Sequence, residues 1–164
     1  MALERVWSVL IAVLAVSLIG LLVLQLGIVT PPWAESQADV QVFDGDTGDE
    51  LAALDVEVAD TPSERYTGLS DHESLDDGTG MLFVHSSEDE RTYVMREMDF
   101  DIDIIFIGAD GEITSIEHAR APEPGEDGND LQYTGQAKWV LEVPRGYADD
   151  TGMDAGDEVV IDYE

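Results

Sequence analysis

Between Asp99 and Ile104 the chain reads DFDIDI, acid and apolar residue in strict alternation, inside the longer run YVMREMDFDIDIIFI from Tyr93 to Ile107. A period of two belongs to an extended strand, whose side chains point to opposite faces in turn; a helix would need apolar residues three and four apart. As one strand, the run places Asp99, Asp101 and Asp103 on one face and Phe100, Ile102, Ile104 and Phe106 on the other. Strand-like runs recur at Val40–Phe43, Leu51–Val58, Gly80–His85, Glu112–Ala119, Ala137–Pro144 and Asp157–Glu164, separated by turn residues. Asp110-Gly111 predicts a two-residue hairpin turn. Thr61-Pro62-Ser63-Glu64 predicts a short helix capped by Thr61 and ended by Gly68. The expectation is a mainly β domain over residues 40–164, α+β in detail, built as a compact β-sandwich or barrel-like body with short helices. Arg120–Asp130, with no apolar period, reads as a long surface loop.

Ahead of that domain lies a segment of different grain. Val6–Val29 carries no charge and only Ser8, Ser17 and Gln25 as polar residues, with Trp7 and Trp33 at its flanks and Pro31-Pro32 after it. As a helix it would span about 36 Å, enough to cross a bilayer core of about 30 Å. It is longer than the apolar stretch of a cleaved signal peptide, so an uncleaved anchor is expected. Arg5 precedes it and no basic residue follows until Arg65. Residues 1–5 are therefore expected in the cytoplasm, 6–29 in the membrane, 30–39 as a linker, and the β-rich domain outside the cell membrane.

Acidic residues outnumber basic ones 37 to 7 among 164 residues, a formal charge of −30, while the apolar share is an ordinary 44%. That apolar share argues against disorder. The acids are spread along the outer domain, as on a surface adapted to high salt, where screening relieves their repulsion. Nucleic acid, itself polyanionic, is disfavoured as a partner. The absence of cysteine excludes disulfides, thiolate metal sites and a cysteine nucleophile.

No motif announces catalysis. There is no Gly-x-Ser-x-Gly elbow and no phosphate-cradling glycine loop. Asp44–Glu50, DGDTGDE, has its glycine at the fifth rather than the sixth place of a calcium loop and reads as an acidic turn. His72, His85 and His118 share no ligand spacing, so neither a metal nor a cofactor is expected. Asp103 stands out because the next residues on its face are Ile105 and Ile107, which places a carboxylate where the sheet becomes buried. Such a group needs a cation or several donors, and Arg65 and Arg96 are the candidates. Glu142, in WVLEVP, shares a face with Val140 and Pro144 and is a candidate to line a cleft with Asp103.

Three segments, RYTGLSDHESLDDGTGMLFVH, YVMREMDFDIDIIFIGADGEITSI and KWVLEVPRGYADDTGMDAGDEV, resemble in order and spacing the domain of unknown function 192 family. That family's pattern runs Arg-x-x-Gly-Leu, Gly-Met-Leu-Phe, Trp-Met-Lys-Asn-Thr, Pro-Leu-Asp, a Phe-Ile strand, Leu-Glu and Gly-Asp. The match falls on Arg65, Gly68, Leu69, Gly80–Phe83, Met95, Asp103, Phe106, Leu141, Glu142 and Gly156-Asp157. Val94-Met95-Arg96-Glu97-Met98 departs from the Trp-Met-Lys-Asn-Thr segment, which puts any polar ligand of that segment in question. The resemblance implies a compact β-rich fold, often exported or membrane-tethered, and no agreed activity.

The leading expectation is a membrane-anchored, non-catalytic binding or accessory module of haloarchaeal type. Its cleft, near Arg65, Met95, Arg96, Asp103 and Glu142, would take a small polar ligand or a protein partner. The alternatives are a hydrolase or glycan-active enzyme using Asp103 and Glu142 as acid and base, and a purely structural cell-surface module without a cleft.

Overall fold

The computed structural model describes residues 36–164. Seven strands, β1 (Gln37–Phe43), β2 (Glu50–Ala59), β3 (Thr79–Val94), β4 (Ile102–Ile107), β5 (Ile113–Ala119), β6 (Gln132–Pro144) and β7 (Glu158–Tyr163), form one sheet in the order β5-β4-β6-β3-β2-β1-β7. Two short helices, α1 (Pro62–Thr67) and α2 (Tyr147–Thr151), and a 3-10 turn at Gly128–Asp130 complete it. The protein is therefore mainly β, with a single sheet in place of the two stacked sheets a sandwich requires. The two outermost strands approach each other where Glu112 bridges Glu158 and Ile113 N–H donates to the Asp157 carbonyl at 2.9 Å.

Alternation builds the outer strands. In β1, Ala38, Val40 and Val42 point inward while Asp39 and Gln41 face solvent, and β2 repeats the pattern with Ala52, Leu54, Val56 and Val58. The interior strand β4 is buried along its whole length, so it needs apolar residues on both faces. Ile105 and Ile107 join one core with Leu82, Leu141 and Val143; Ile102, Ile104 and Phe106 join a second core on the other face with Phe83 and Val140. These two cores set the address of every candidate residue.

All neighbouring strands are antiparallel except β2 and β3. A parallel pair needs a crossover, and here it carries α1. Its start is as predicted: the Thr61 hydroxyl accepts from Glu64 N–H, the Glu64 carboxylate accepts from Thr61 N–H, Pro62 sits in the first turn, and Gly68 ends the helix. The crossover packs Leu69 and Leu75 against the second core.

The run Tyr93–Ile107 does not form one strand. Tyr93 and Val94 end β3, residues 95–101 turn, and β4 begins at Ile102. Glu97 sits in the left-handed region at φ 56°, which breaks the pleat despite the alternating pattern. Likewise the turn after β4 is longer than a two-residue hairpin. Gly111 N–H donates to Gly108 C=O at 3.1 Å, Gly108 N–H to Glu112 C=O at 2.9 Å, and Gly111 takes φ 85°, the glycine-dependent ending of a bulged three-residue loop. β1 begins at Gln37, so residues 37–39 of the expected linker belong to the sheet. Among the described residues no helix is long and apolar enough to cross a membrane; the expected span 6–29 lies outside them.

Candidate functional site

One cavity of about 420 Å³ opens on the face of the second core, between the α1 crossover, β3, the 95–98 turn and Glu142 of β6. Its floor is formed by Leu69, Phe83, Met98, Ile102 and Glu142, all buried, and its rim includes the exposed Tyr66. The volume is within the range of small-molecule sites, ~300–1,000 Å³. Gly80, just before the Phe83 strand segment, lets β3 approach β6 this closely; a Cβ there would lie 2.4 Å from the Glu142 carbonyl oxygen.

Arg65, Arg91 and Arg96 all line this cavity. They are three of the seven basic residues in a chain of net charge −30, yet none forms an ion pair among the described residues. Backbone carbonyls hold them instead. Arg65 Nη1 donates to Asp60 C=O and to Val84 C=O, the latter at 2.9 Å. Arg91 Nη2 donates to Ser87 C=O at 2.6 Å. Arg96 Nη2 donates to Tyr66 C=O while its guanidinium lies 3.9 Å from the centre of the Tyr66 ring. Arg96 Nε is buried with no partner. A guanidinium has five N–H donors, so each keeps donors to spare.

Three further polar groups of the lining, His85, Tyr93 and Glu142, are held uncharged. His85 Nε2 and the Tyr93 hydroxyl are 3.0 Å apart. Burial, with Arg91 and Arg65 nearby, pushes the His85 pKa down to about 4, so the imidazole is neutral at pH 7. Burial above all raises the Tyr93 phenol, so it keeps its proton. Glu142 is 6% exposed, and burial alone raises its carboxyl to about 8. No hydrogen bond or neighbouring charge contributes to that shift. The floor of the cavity thus carries a carboxylic acid with an unused donor and acceptor.

Asp103 belongs elsewhere. In the β4–β6 register Asp103 faces Val143 and Ile104 faces Glu142, so the two carboxylates lie on opposite faces of the sheet. The expected cleft shared by Asp103 and Glu142, and with it the acid–base pair, is not formed. Nor do Arg65 and Arg96 meet Asp103, since both line the cavity on the Glu142 face. Asp103, fully buried, is satisfied by other groups. Its Oδ1 accepts from His118 Nδ1 at 2.8 Å and Arg145 Nη1 at 2.9 Å, and its Oδ2 from Gly146 N–H at 2.9 Å and Ala148 N–H at 3.1 Å. It ties β5 and the start of α2 to the sheet.

Met95 also leaves the expected cleft: it is fully buried in the second core and does not line the cavity. Of the five expected residues, Arg65, Arg96 and Glu142 come together, while Met95 and Asp103 do not. Arg91, His85 and Tyr93 are the additions. Their separation in sequence hides them, because β3 shifts register between Val84 and Asp89 before presenting Arg91 and Tyr93. The signal available was scarcity, since any basic residue in so acidic a chain is conspicuous.

Glu97 resolves one departure from the family pattern. It is exposed, lies outside the cavity lining and adopts φ 56°, a conformation that asparagine tolerates better. The replacement of asparagine by Glu97 therefore bears on the backbone turn, and Val94, Arg96 and Met98 are the replaced positions that reach the cavity. The acidic turn is likewise structural. Asp44 Oδ1 accepts from Asp46 and Thr47 N–H at 2.9 and 2.7 Å, which holds its carboxyl below the usual range. Asp157 accepts from Gly45 N–H at 2.9 Å and Asp154 N–H at 2.7 Å. No cluster of three metal-ligating side chains occurs among the described residues.

The family model of DUF192, described as "Uncharacterized ACR", matches residues 44–161. The chain belongs to the DUF192 family. Two solved structures are similar to this DUF192 protein. A protein of unknown function from Novosphingobium aromaticivorans DSM 12444 is 30% identical, with a TM-score of 0.67 over 80% of this chain and 90% of its own. A candidate transcription regulator from Sinorhizobium meliloti 1021 is 23% identical, with a TM-score of 0.70 over 79% and 97%, a likeness of fold alone. No curated protein matches the sequence. Arg65, Gly68, Leu69, Phe83 and Glu142, from three separate segments of the family pattern, all line the one cavity.

Proposed function

We propose that this DUF192 domain is a non-catalytic binding module that holds a small anionic molecule in the cavity between the α1 crossover, β3 and β6. The observation that carries the reading is the set of three guanidiniums without carboxylate partners in a chain of net charge −30. In such a chain carboxylates are plentiful, so three guanidiniums in one cavity with no ion pair among the described residues and donors to spare are suited to an anion from outside the fold. The regulator function named for the Sinorhizobium protein is not carried over, because the acidic surface opposes a nucleic-acid backbone. The separation of Asp103 from Glu142 removes the support for a two-carboxylate hydrolase.

The setting follows from the sequence. Residues 6–29 would tether the module to the cell membrane with its domain outside, and the spread of acids suits high external salt, as in haloarchaea. Titration calorimetry of the full chain in detergent, with phosphate, acetate, citrate and glucuronate, tests the binding. At least one of these is expected to bind. Arg65→Ala and Arg96→Ala are each expected to weaken it about tenfold or more, since a hydrogen bond to a charged group contributes ~1.5–3 kcal/mol. Binding of none of them, or affinities unchanged in both variants, would overturn the proposal.

A further inference from the structure

The three arginines account for an anion, but they leave the floor of the cavity unexplained. We infer that the ligand is a hydroxylated organic acid, its carboxylate held by Arg65, Arg91 and Arg96 and a hydroxyl held by Glu142. This inference rests on the anion-binding reading above and adds the chemistry of the ligand's second end.

Glu142 is more than nine-tenths buried, lines the cavity, and has no hydrogen-bond partner among the described residues. The one sealed side-chain atom without a partner among the described residues is Arg96 Nε, so the Glu142 carboxyl opens on the cavity and its hydrogen bonds go to whatever occupies that space. The arginines do not supply those bonds, since none of them pairs with Glu142. A ligand that spans the cavity from guanidinium to carboxyl must therefore be anionic at one end and a hydrogen-bonding neutral at the other.

The titratable and charged groups that line the cavity with Glu142 come from the crossover, β3 and the 95–98 turn. From β3 come His85, neutral at pH 7, Tyr93, which keeps its proton, and Glu90 at the exposed rim. From the crossover and the 95–98 turn come Arg65 and Arg96, and from β3 also Arg91. A protonated Glu142 both donates and accepts, as a hydroxyl partner requires. An ammonium group there would instead favour the ionised carboxylate, so an amino acid would bind with release of the Glu142 proton to the buffer and a hydroxy acid without it.

The test compares three ligands of similar size on the full chain: glucuronate (acid and hydroxyls), cyclohexanecarboxylate (acid only) and glucose (hydroxyls only). Glucuronate is expected to bind at least tenfold tighter than either of the others, with a heat independent of the ionisation enthalpy of the buffer at pH 7. Glu142→Gln, which keeps a donor and an acceptor, retains the preference. Glu142→Leu is expected to abolish the preference of glucuronate over cyclohexanecarboxylate. Equal affinities for glucuronate and cyclohexanecarboxylate in the unaltered protein would overturn the inference and leave the anion site standing. Binding of neither acid, nor of phosphate or citrate, would overturn both. Because the first comparison uses no variant, misfolding of Glu142→Leu cannot rescue the inference.

Discussion

Asp103 and Glu142 are both buried acids, on adjacent strands and one residue out of step, yet their surroundings are opposite. Asp103 receives four hydrogen bonds, two of them from basic side chains and two from the backbone leading into α2. Glu142 receives none, and its burial shows only as a raised pKa. A buried carboxylate whose lone pairs are filled is part of the framework. One whose donor and acceptor stand idle beside open space marks a place for something else. Burial alone would have grouped the two residues, and the hydrogen bonding separates them.

The sharpest way to break this comparison is Asp103→Asn. Asparagine offers one acceptor oxygen where two are used and turns a donor toward donors, releasing Arg145. A loss of ~1–3 kcal/mol is expected by chemical denaturation, the cost of leaving buried hydrogen-bonding groups unmet, since the half-exposed Arg145 and His118 can turn to solvent. Asp99→Asn, at an exposed position in the turn before β4, should stay within ~0.5 kcal/mol. Equal, small losses would show that the Asp103 cluster does not hold β5 and α2 in place.

Glu142→Gln should act in the opposite direction. The folded pKa of about 8 lies above that of the unfolded chain, so between the two the native state binds more protons and Glu142 loses stability as pH rises. At pH 8 and above, Glu142→Gln is expected to stabilise the protein by ~2–4 kcal/mol, one pKa unit being worth ~1.4 kcal/mol. At pH 4.5 the gain should vanish. A pH-independent difference in melting temperature would show that Glu142 is not held as a neutral acid.

A smaller effect sharpens the contrast with the surface acids. Asp39 stands directly opposite Asp55 on β2 and Asp162 on β7, and the hydrogen bond to Asp55 is the first cause of its raised pKa. Such like-charge rows are relieved by salt. Moving the protein from molar salt to dilute buffer should lower its melting temperature, and Asp55→Asn should recover a small part, about 1 °C, in dilute buffer only. A midpoint unaffected by salt would sink the account of the acidic surface as salt adaptation.

What the sequence alone determined is local. Alternation located β1 and β2, and the Thr61, Pro62, Glu64 and Gly68 signals located α1, because a cap or a pleat is decided by residues within a few positions of one another. The burial of Asp103 was also legible, from Ile105 and Ile107 on its own face. Its partners were not: His118 and Arg145 reach it from other strands and loops, and the wrong arginines were the ones nearer the family pattern. Only the tertiary structure decided which acid joins the arginines. Asp103 and Glu142 can share a face or not according to a one-residue choice of register between β4 and β6, and register is set by the summed packing of two cores. The same pairing, with the shift in β3, brings Arg91, His85 and Tyr93 beside Arg65 and Arg96, a grouping that no local stretch encodes.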